Sequence, residues 1–156
     1  RAGVEVCFAG IGAMEVAGGH GITVKADCLA EEADFSKAEM IVLPGGLGGV
    51  SSIRDSKTVM DAVKKAYEED RYVAAICAAP TVLAELGITD GKKAVCYPGM
   101  ETQMGSARTA VLPVVRDGKV ITGKAAGTAF DFALELIAAL LGGDKAREIA
   151  DAVVVD

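Results

Sequence analysis

Two short apolar runs constrain the fold of this chain more than any other feature. Met40–Pro44 and Tyr72–Ile76 lack the alternation of apolar and polar residues that a half-exposed strand shows. This pattern is typical of parallel strands buried on both faces. Ser56–Glu69 lies between them with its apolar residues at helical spacing, which predicts an amphipathic crossover helix. Together these elements predict an α/β sandwich around a mostly parallel sheet.

The rest of the chain alternates between strands and helices in the same way. Gly87 and Gly142 stand where two helices are expected to end. The further predicted strands are Val4–Ala9, Ile22–Ala26, Ala94–Tyr97, Ala110–Val115 and Val120–Thr122, the last two as a hairpin around Asp117-Gly118. The further predicted helices are Pro80–Leu86, Thr128–Leu141 and Asp144–Ala152. We expect Cys28–Lys37 to be irregular and Gly45–Gly49 to be a loop.

Composition excludes several classes of protein. Hydrophobic residues make up 51% of the 156 residues and charged residues 24%, which is too apolar a balance for intrinsic disorder. The longest uncharged run, Met40–Ile53, has 14 residues and contains Pro44, whereas a membrane-spanning helix needs about 20 apolar residues. The net charge is −6 and no Lys/Arg cluster exceeds two residues. We therefore expect no nucleic-acid partner and no membrane association.

The four cysteines show no metal-ligand spacing. They stand at positions 7, 28, 77 and 96, without a Cys-x-x-Cys motif. No basic start leads into an apolar block, so the sequence shows no secretory signal. We expect free thiols in a reducing cytoplasm, with no bound metal and no cofactor.

Cys77 stands where a buried strand runs directly into a helix. Only a sharp turn fits between the strand end at Ile76 and the helix start near Pro80, which is the geometry of a nucleophile elbow. The small residues Ala75 and Ala79 flank this turn, where a crowded backbone requires them. A thiol at a helix N-terminus is favoured as the thiolate. The alternative is that Cys77 is a small buried residue filling the end of a strand.

The glycines after the first apolar run point to the same place. A right-handed crossover brings the carboxyl ends of both strands to one edge of the sheet, where open α/β sheets bind ligands. Gly45 and Gly46 would then lie beside Cys77, and their backbone, with the N–H of Ala78, would form an oxyanion hole. The alternative is a glycine loop needed only for positive φ angles.

Four stretches of the chain resemble one known family. They are Ile41–Gly46, Ala74–Pro80, Cys96–Glu101 and Gly127–Leu134. In order and spacing they resemble the ThiJ/PfpI superfamily over essentially the whole chain, in particular its branch with the parkinsonism-associated deglycase and bacterial ThiJ-like proteins. The Leu-Pro-Gly-Gly loop and the Ala-Ile-Cys-Ala turn are the most specific pair of motifs.

The resemblance implies a flavodoxin-like three-layer sandwich, with helices on both faces of the sheet, that assembles as a homodimer. It implies that Cys77 is the nucleophile, that Gly46 and Ala78 supply oxyanion N–H groups and that Gly45 shapes the loop. PfpI-type proteases carry a histidine where Ala78 stands, so protease activity is disfavoured. Tyr97 replaces a histidine of the human-type branch; it either donates a hydrogen bond into the pocket or is an ordinary half-buried tyrosine.

The function that the resemblance implies is chemistry of the Cys77 thiol on a small reactive carbonyl compound, as in a glyoxalase or deglycase, or protection from oxidative stress. One alternative is a non-enzymatic redox sensor or chaperone in which Cys77 is oxidised to sulfenic or sulfinic acid. Another is an inactive family member kept for dimer or partner contacts. His20, the sole histidine, would assist Cys77 only if the fold brought the two together.

The beginning of the chain predicts a missing neighbour. Arg1-Ala2-Gly3 ahead of Val4–Ala9 is typical of a helix end that leads into a strand. We expect residues 1–156 to form a single ThiJ/PfpI-like domain without its first strand–helix unit and the glutamate that pairs with the family's cysteine. The first strand of a doubly wound sheet is internal, so we expect a separate N-terminal fragment or chain to complete the sheet.

Overall fold

The computed structural model describes residues 1–155. The described residues form ten strands and five α-helices, with short 3-10 turns at Phe35–Lys37, Glu101–Gln103 and Ala126–Thr128. The strands are β1 (Ala9–Gly10), β2 (Glu15–Ala17), β3 (Thr23–Lys25), β4 (Cys28–Leu29), β5 (Met40–Leu43), β6 (Tyr72–Ile76), β7 (Lys93–Ala94), β8 (Arg108–Thr109), β9 (Val114–Asp117) and β10 (Val120–Gly123). The helices are α1 (Leu47–Asp55), α2 (Lys57–Glu68), α3 (Pro80–Glu85), α4 (Ala129–Leu141) and α5 (Gly143–Val153).

A four-stranded sheet in the order β5-β6-β10-β9 forms the centre of the fold. Strand β6 pairs in parallel with β5 on one side and with β10 on the other, and β9 pairs antiparallel with β10. The last pair confirms the predicted hairpin, whose turn contains Gly118 at φ +64°. Parallel pairing of β5 and β6 brings Leu43 opposite Ala75, so both strands end at the same edge.

Helices cover both faces of this sheet, as the sequence predicts. Val73 and Ala75 of β6 belong to a core cluster that also contains Val63 of α2 and Val82 of α3. Ala74, which points to the opposite face, packs in a second cluster formed largely by the sheet and α4. Neighbouring residues of a strand point to opposite faces, so the apolar run of β6 is buried in two separate cores. The architecture is the expected α/β sandwich with a mostly parallel sheet.

The predicted loop at Gly45–Gly49 is wrong in its second half, because α1 begins at Leu47. Glycine is a poor helix former, but this helix buries Val50 and Ile53, which are 1% and 4% exposed. Burial of these side chains offsets the low helix propensity. Ser56 ends α1 and caps α2, where its side chain accepts a hydrogen bond from the N–H of Val59. Two helices therefore join β5 to β6 instead of the predicted one.

The predicted strand Val4–Ala9 is also wrong for most of its length. Only Ala9–Gly10 is a strand, paired in parallel with Cys28–Leu29. A strand needs ladder hydrogen bonds, and in the described chain this segment finds backbone partners only from Phe8 onwards. The separate N-terminal fragment stays a prediction. The sequence reading also missed β2, which forms a hairpin with β3 across the glycine-rich segment.

The strands predicted at Ala94–Tyr97 and Ala110–Val115 are displaced or shortened. After Ala94 the backbone leaves the strand pairing, and the N–H of Val95 donates a hydrogen bond to the Thr122 hydroxyl at 3.0 Å instead of to a neighbouring strand. Pro113 has no N–H to donate, and β9 begins only after it.

The helices α3, α4 and α5 lie within one residue of their predicted bounds. None of the helices in the described part has the length and hydropathy needed to cross a bilayer.

Candidate functional site

Cys77 lies on a strained turn between β6 and α3. Its φ is +67°, in the left-handed region, which costs a non-glycine residue roughly 1–2 kcal/mol. Two other segments hold this backbone in place: the N–H of Cys77 donates to the carbonyl of Gly123 at 2.9 Å, and its carbonyl accepts from the N–H of Tyr97 at 2.8 Å. The thiol is free and half-buried. The local geometry is that of a nucleophile elbow.

Gly45 packs directly against this turn. A Cβ built on Gly45 would lie 2.5 Å from Cys77 Cβ, 2.9 Å from the Ile76 carbonyl oxygen and 3.3 Å from Cys77 Sγ. No side chain fits at this position without moving the cysteine. Gly46 follows with φ +94° and is the N-cap of α1. The structure therefore brings together the glycine pair and the cysteine that the sequence predicts as neighbours.

Two backbone donors next to the thiol are unused. Within residues 1–155, neither the N–H of Gly46 nor that of Ala78 is hydrogen-bonded, although Ala78 is only 2% exposed. Buried N–H groups rarely lack a partner. Helix α1 begins immediately after Gly46, and its N-terminus carries partial positive charge. Such free N–H groups can donate hydrogen bonds to the negative oxygen of a tetrahedral adduct.

Tyr97 reaches the elbow through its backbone, as described above. Its side chain is 48% exposed, so the phenol lies at the surface and not in the core. The structure therefore places Tyr97 beside Cys77, while a contact between its hydroxyl and a substrate stays a prediction. Neighbouring Glu101 accepts a hydrogen bond from the N–H of Gly99 at 2.8 Å.

Thr81, a buried residue that was not predicted from the sequence as part of the site, is hydrogen-bonded to the turn that carries Cys77. The Thr81 hydroxyl donates to the carbonyl of Ala78 at 2.7 Å and accepts from Arg54 Nη2 at 2.9 Å. Arg54 in turn forms an ion pair with Glu85 at 2.9 Å. A threonine in the first turn of the helix after the cysteine, with an arginine at the end of α1, is the only signal that the sequence offers for this network.

Gly123 is a second residue that the sequence reading missed. Besides accepting from the N–H of Cys77, it leaves no room for a side chain, because an added Cβ would lie 2.8 Å from Phe132 Cδ2 and 2.9 Å from Ile76 Cγ1. It stands opposite Ile76 in the parallel ladder of β6 and β10, a pairing that was not predicted from the sequence. A glycine at the end of such a strand indicates close approach of neighbours.

The other candidate groups lie outside this arrangement. Burial and, to a smaller extent, the negative charge of Glu101 raise the pKa of the Cys96 thiol to about 11, so Cys96 stays protonated at neutral pH. His20 lies in the exposed turn between β2 and β3. In the described part of the chain, no three His, Cys, Asp or Glu side chains are grouped so as to hold a metal ion.

A mostly parallel sheet, helices on both faces and a cysteine on a sharp strand–helix turn define the class of flavodoxin-like α/β proteins with a nucleophile elbow. The model of the DJ-1/PfpI family matches residues 1–139, and the chain belongs to this family.

Relatives and solved structures agree with this assignment. The chain is 37% identical to Protein dj-1beta of Drosophila melanogaster over 99% of its own length and 84% of that protein. It is 36% identical to Protein DJ-1 homolog B of Arabidopsis thaliana, of which it spans 36%. It is 29% identical to the Glutathione-independent glyoxalase DJR-1.2 of Caenorhabditis elegans, over 96% of this chain and 80% of that protein. The oxidized form of Toxoplasma gondii DJ-1 superposes with a TM-score of 0.94 at 33% identity, covering 99% of this chain and 85% of that chain.

Proposed function

We propose that this protein is a cysteine-dependent enzyme that acts on small reactive carbonyl compounds, with glyoxalase or deglycase-like chemistry at Cys77. The observation that carries the proposal is the strained, half-buried thiol beside two unused backbone donors, the N–H groups of Gly46 and Ala78. The Caenorhabditis elegans relative bears the name of a glutathione-independent glyoxalase. A glyoxalase that does without glutathione needs a thiol of its own, and Cys77 would be that thiol.

The first chemical step is an addition. The Cys77 thiolate attacks the aldehyde carbon of a 2-oxoaldehyde, a C–S bond forms, and the carbonyl π electrons move to oxygen. The N–H groups of Gly46 and Ala78 then stabilise the oxyanion. Isomerisation of this adduct and release by one water molecule yields a 2-hydroxy acid without net oxidation. In deglycation, the C–N or C–S bond of an amine or thiol adduct first breaks, the amine or thiol leaves with its proton, and the released aldehyde adds to Cys77 in the same way.

Methylglyoxal consumption tests the proposal. The full-length protein should convert methylglyoxal to lactate, and Cys77→Ala should abolish turnover because no other thiol occupies the elbow. Cys96→Ala is the matched control: it also removes a thiol, and it should retain activity if the protein stays folded. Turnover that survives Cys77→Ala unchanged would exclude the proposed mechanism.

A second candidate function is protection from oxidative stress, with Cys77 as a sensor. Two-electron oxidation by a peroxide would give a sulfenic acid, and a second oxidation a sulfinic acid. The unused N–H groups of Gly46 and Ala78 would hold the added oxygens, as they would hold an oxyanion. After limited peroxide treatment, mass spectrometry should find oxygen added first to the tryptic peptide 72–92, which contains Cys77. Equal oxidation of all four cysteines would argue against a tuned site.

We also propose that the protein is a homodimer. The β2–β3 hairpin presents the apolar side chains of Val16, Ile22 and Val24 to solvent, and Ile22 is 71% exposed. Val16 and Val24 stand opposite each other in the hairpin ladder, so exposed apolar side chains lie side by side, as they do at interaction sites. Light scattering should give twice the mass of one chain, and Ile22→Glu should shift the protein to the monomer. A monomeric wild-type protein at high micromolar concentration would contradict this assignment.

A further inference from the structure

A pair of thiols away from Cys77 lies in direct contact. Cys7 Sγ and Cys28 Sγ are 3.6 Å apart, although the two residues are 21 positions apart in the chain. Both thiols are free; Cys7 is exposed and Cys28 half-buried. The proposed carbonyl chemistry uses neither of them.

The backbone around the two cysteines sets this contact. Ala9 pairs with Cys28 in the parallel ladder of β1 and β4. Phe8 and Asp27 are joined by two further hydrogen bonds. The carbonyl of Phe8 accepts from the N–H of Asp27 at 2.8 Å, and the N–H of Phe8 donates to Asp27 Oδ2 at 2.8 Å. These bonds join the residue after Cys7 to the residue before Cys28. The two sulfurs are therefore neighbours because their segments are paired, and not through a chance meeting of surface side chains.

We propose that Cys7 and Cys28 form a reversible redox pair, distinct from Cys77, that hydrogen peroxide or another peroxide oxidises to an intramolecular disulfide. The thiolate of one cysteine attacks the peroxide oxygen, giving a sulfenic acid and one water. The sulfur of the other attacks the sulfenic sulfur, the S–S bond forms and a second water leaves. The two thiols lose two electrons in total, and the peroxide gains them. A dithiol reductant reverses the step by thiol–disulfide exchange.

The movement required is small. A disulfide bond is about 2.05 Å long, so the sulfurs must approach by roughly 1.5 Å from their contact distance. Cys7 precedes the regular part of β1 and is exposed, which leaves its side chain free to rotate. The hydrogen bond between the thiols, together with partial burial and nearby carboxylates, raises the pKa of Cys28. Either thiol can react first with the peroxide, because the other lies at contact distance and can complete the disulfide.

The disulfide would close the segment from Phe8 to Asp27 into a covalent loop. That segment contains the whole β2–β3 hairpin, including the turn with His20. Cross-linking the ends of a loop removes conformations mainly from the unfolded chain. Oxidation would therefore stabilise this part of the protein, and reduction would release it.

Tryptic mapping tests the pair directly, because cleavage after Arg1, Lys25 and Lys37 separates the two cysteines into peptides 2–25 and 26–37. Cys77 and Cys96 fall in the further peptides 72–92 and 94–108. The full chain is treated with a several-fold molar excess of peroxide, free thiols are blocked with iodoacetamide, and the digest is analysed without reduction. We expect peptides 2–25 and 26–37 to be disulfide-linked in a protein whose intact mass is that of one chain, and dithiothreitol to separate them.

Matched variants complete the test. Cys77→Ala and Cys96→Ser should form the same link, and Cys7→Ser and Cys28→Ser should not. Thermal unfolding of the oxidised Cys77→Ala protein should shift upward by several degrees, and reduction should reverse the shift. Links spread over other cysteine pairs, a link only between two chains, or oxidation of Cys77 without any 2–25/26–37 link would overturn the proposal.

Discussion

The backbone of Gly45 lies in contact with the side chain of Cys77. A Cβ at position 45 would stand 2.5 Å from Cys77 Cβ, a separation that real side chains do not reach. The loop after β5 is thus packed against the turn after β6 without a side chain between them. The next residue, Gly46, has a free N–H, and Gly45 is the residue on which the geometry of the candidate site depends.

Replacing Gly45 by alanine should therefore displace the elbow. We expect Gly45→Ala to lower the free energy of unfolding by about 2–3 kcal/mol through overpacking, and to slow reaction of the Cys77 thiol with iodoacetamide or methylglyoxal. Gly48→Ala is the matched control, because a Cβ there meets nothing within 4 Å. In helix α1 that change should raise stability by about 0.5–1 kcal/mol. Equal effects of the two variants in chemical denaturation would contradict the steric argument.

The positive φ of Cys77 predicts an unusual ranking of substitutions. Cys77→Gly should be more stable than Cys77→Ala by about 1 kcal/mol, because glycine adopts the left-handed conformation without strain. At Ala79, where φ is −66°, the ranking should be the ordinary one, and Ala79→Gly should lose about 0.5–1 kcal/mol. Urea denaturation of the three variants measures both differences. A Cys77→Gly variant less stable than Cys77→Ala would show that the turn carries no strain.

Two buried threonines should respond in opposite directions to the same substitution. Thr81→Val removes the hydroxyl that bonds Ala78 and Arg54, and we expect a loss of about 1–2 kcal/mol, with reduced Cys77 reactivity. Thr89 is fully buried, and within the described chain its hydroxyl has no partner. Thr89→Val should therefore be neutral or stabilising by up to about 1 kcal/mol. A calorimetric comparison in which both variants lose stability equally would refute the role of the Thr81 network.

Cys96 should make stability fall at high pH. Its pKa is raised to about 11 in the folded protein, against an ordinary value of 9.0. Between pH 9 and pH 11 the thiol of Cys96 keeps its proton in the folded state and loses it in the unfolded state. Its contribution to the free energy of unfolding is therefore complete below pH 9 and is lost as pH rises towards 11. We expect a loss of about 2 kcal/mol over this range. Cys96→Ala should show a smaller loss in urea denaturation between pH 8 and 11, because it lacks this thiol and is otherwise the same protein. Parallel curves would rule the effect out.

Pattern alone predicts the centre of this fold well. Tyr72–Ile76 has the same bounds in the sequence reading and in the structure, because a strand buried on both faces leaves an unbroken apolar run. The juxtaposition of Gly45 and Cys77 follows from the parallel pairing of β5 and β6, which the crossover helix implies. These features depend on burial and topology, and both can be predicted from residue type and spacing.

Features that depend on tertiary contacts escape the sequence. The glycine-rich start of α1 is helical because Val50 and Ile53 of the same helix are buried in the core, which local helix propensity cannot show. Gly123 and Thr81 support Cys77 through contacts across the sheet and between helices, and the residues beside them in the sequence do not specify these partners. The contact between Cys7 and Cys28 depends on a two-residue parallel ladder, too short to be recognised as periodicity.

Both backbone groups of Cys77 are bonded, one to Gly123 and the other to the segment at Tyr97. With the main chain fixed in this way, the sulfur has a single torsion angle left, and that angle has only three staggered wells. The amide of Cys77 should therefore exchange with solvent deuterium slowly, even though its thiol is chemically accessible. An electrophile must therefore reach the sulfur in one of these three positions. Of two reagents with similar intrinsic reactivity, the one whose shape fits the available direction of approach would react faster.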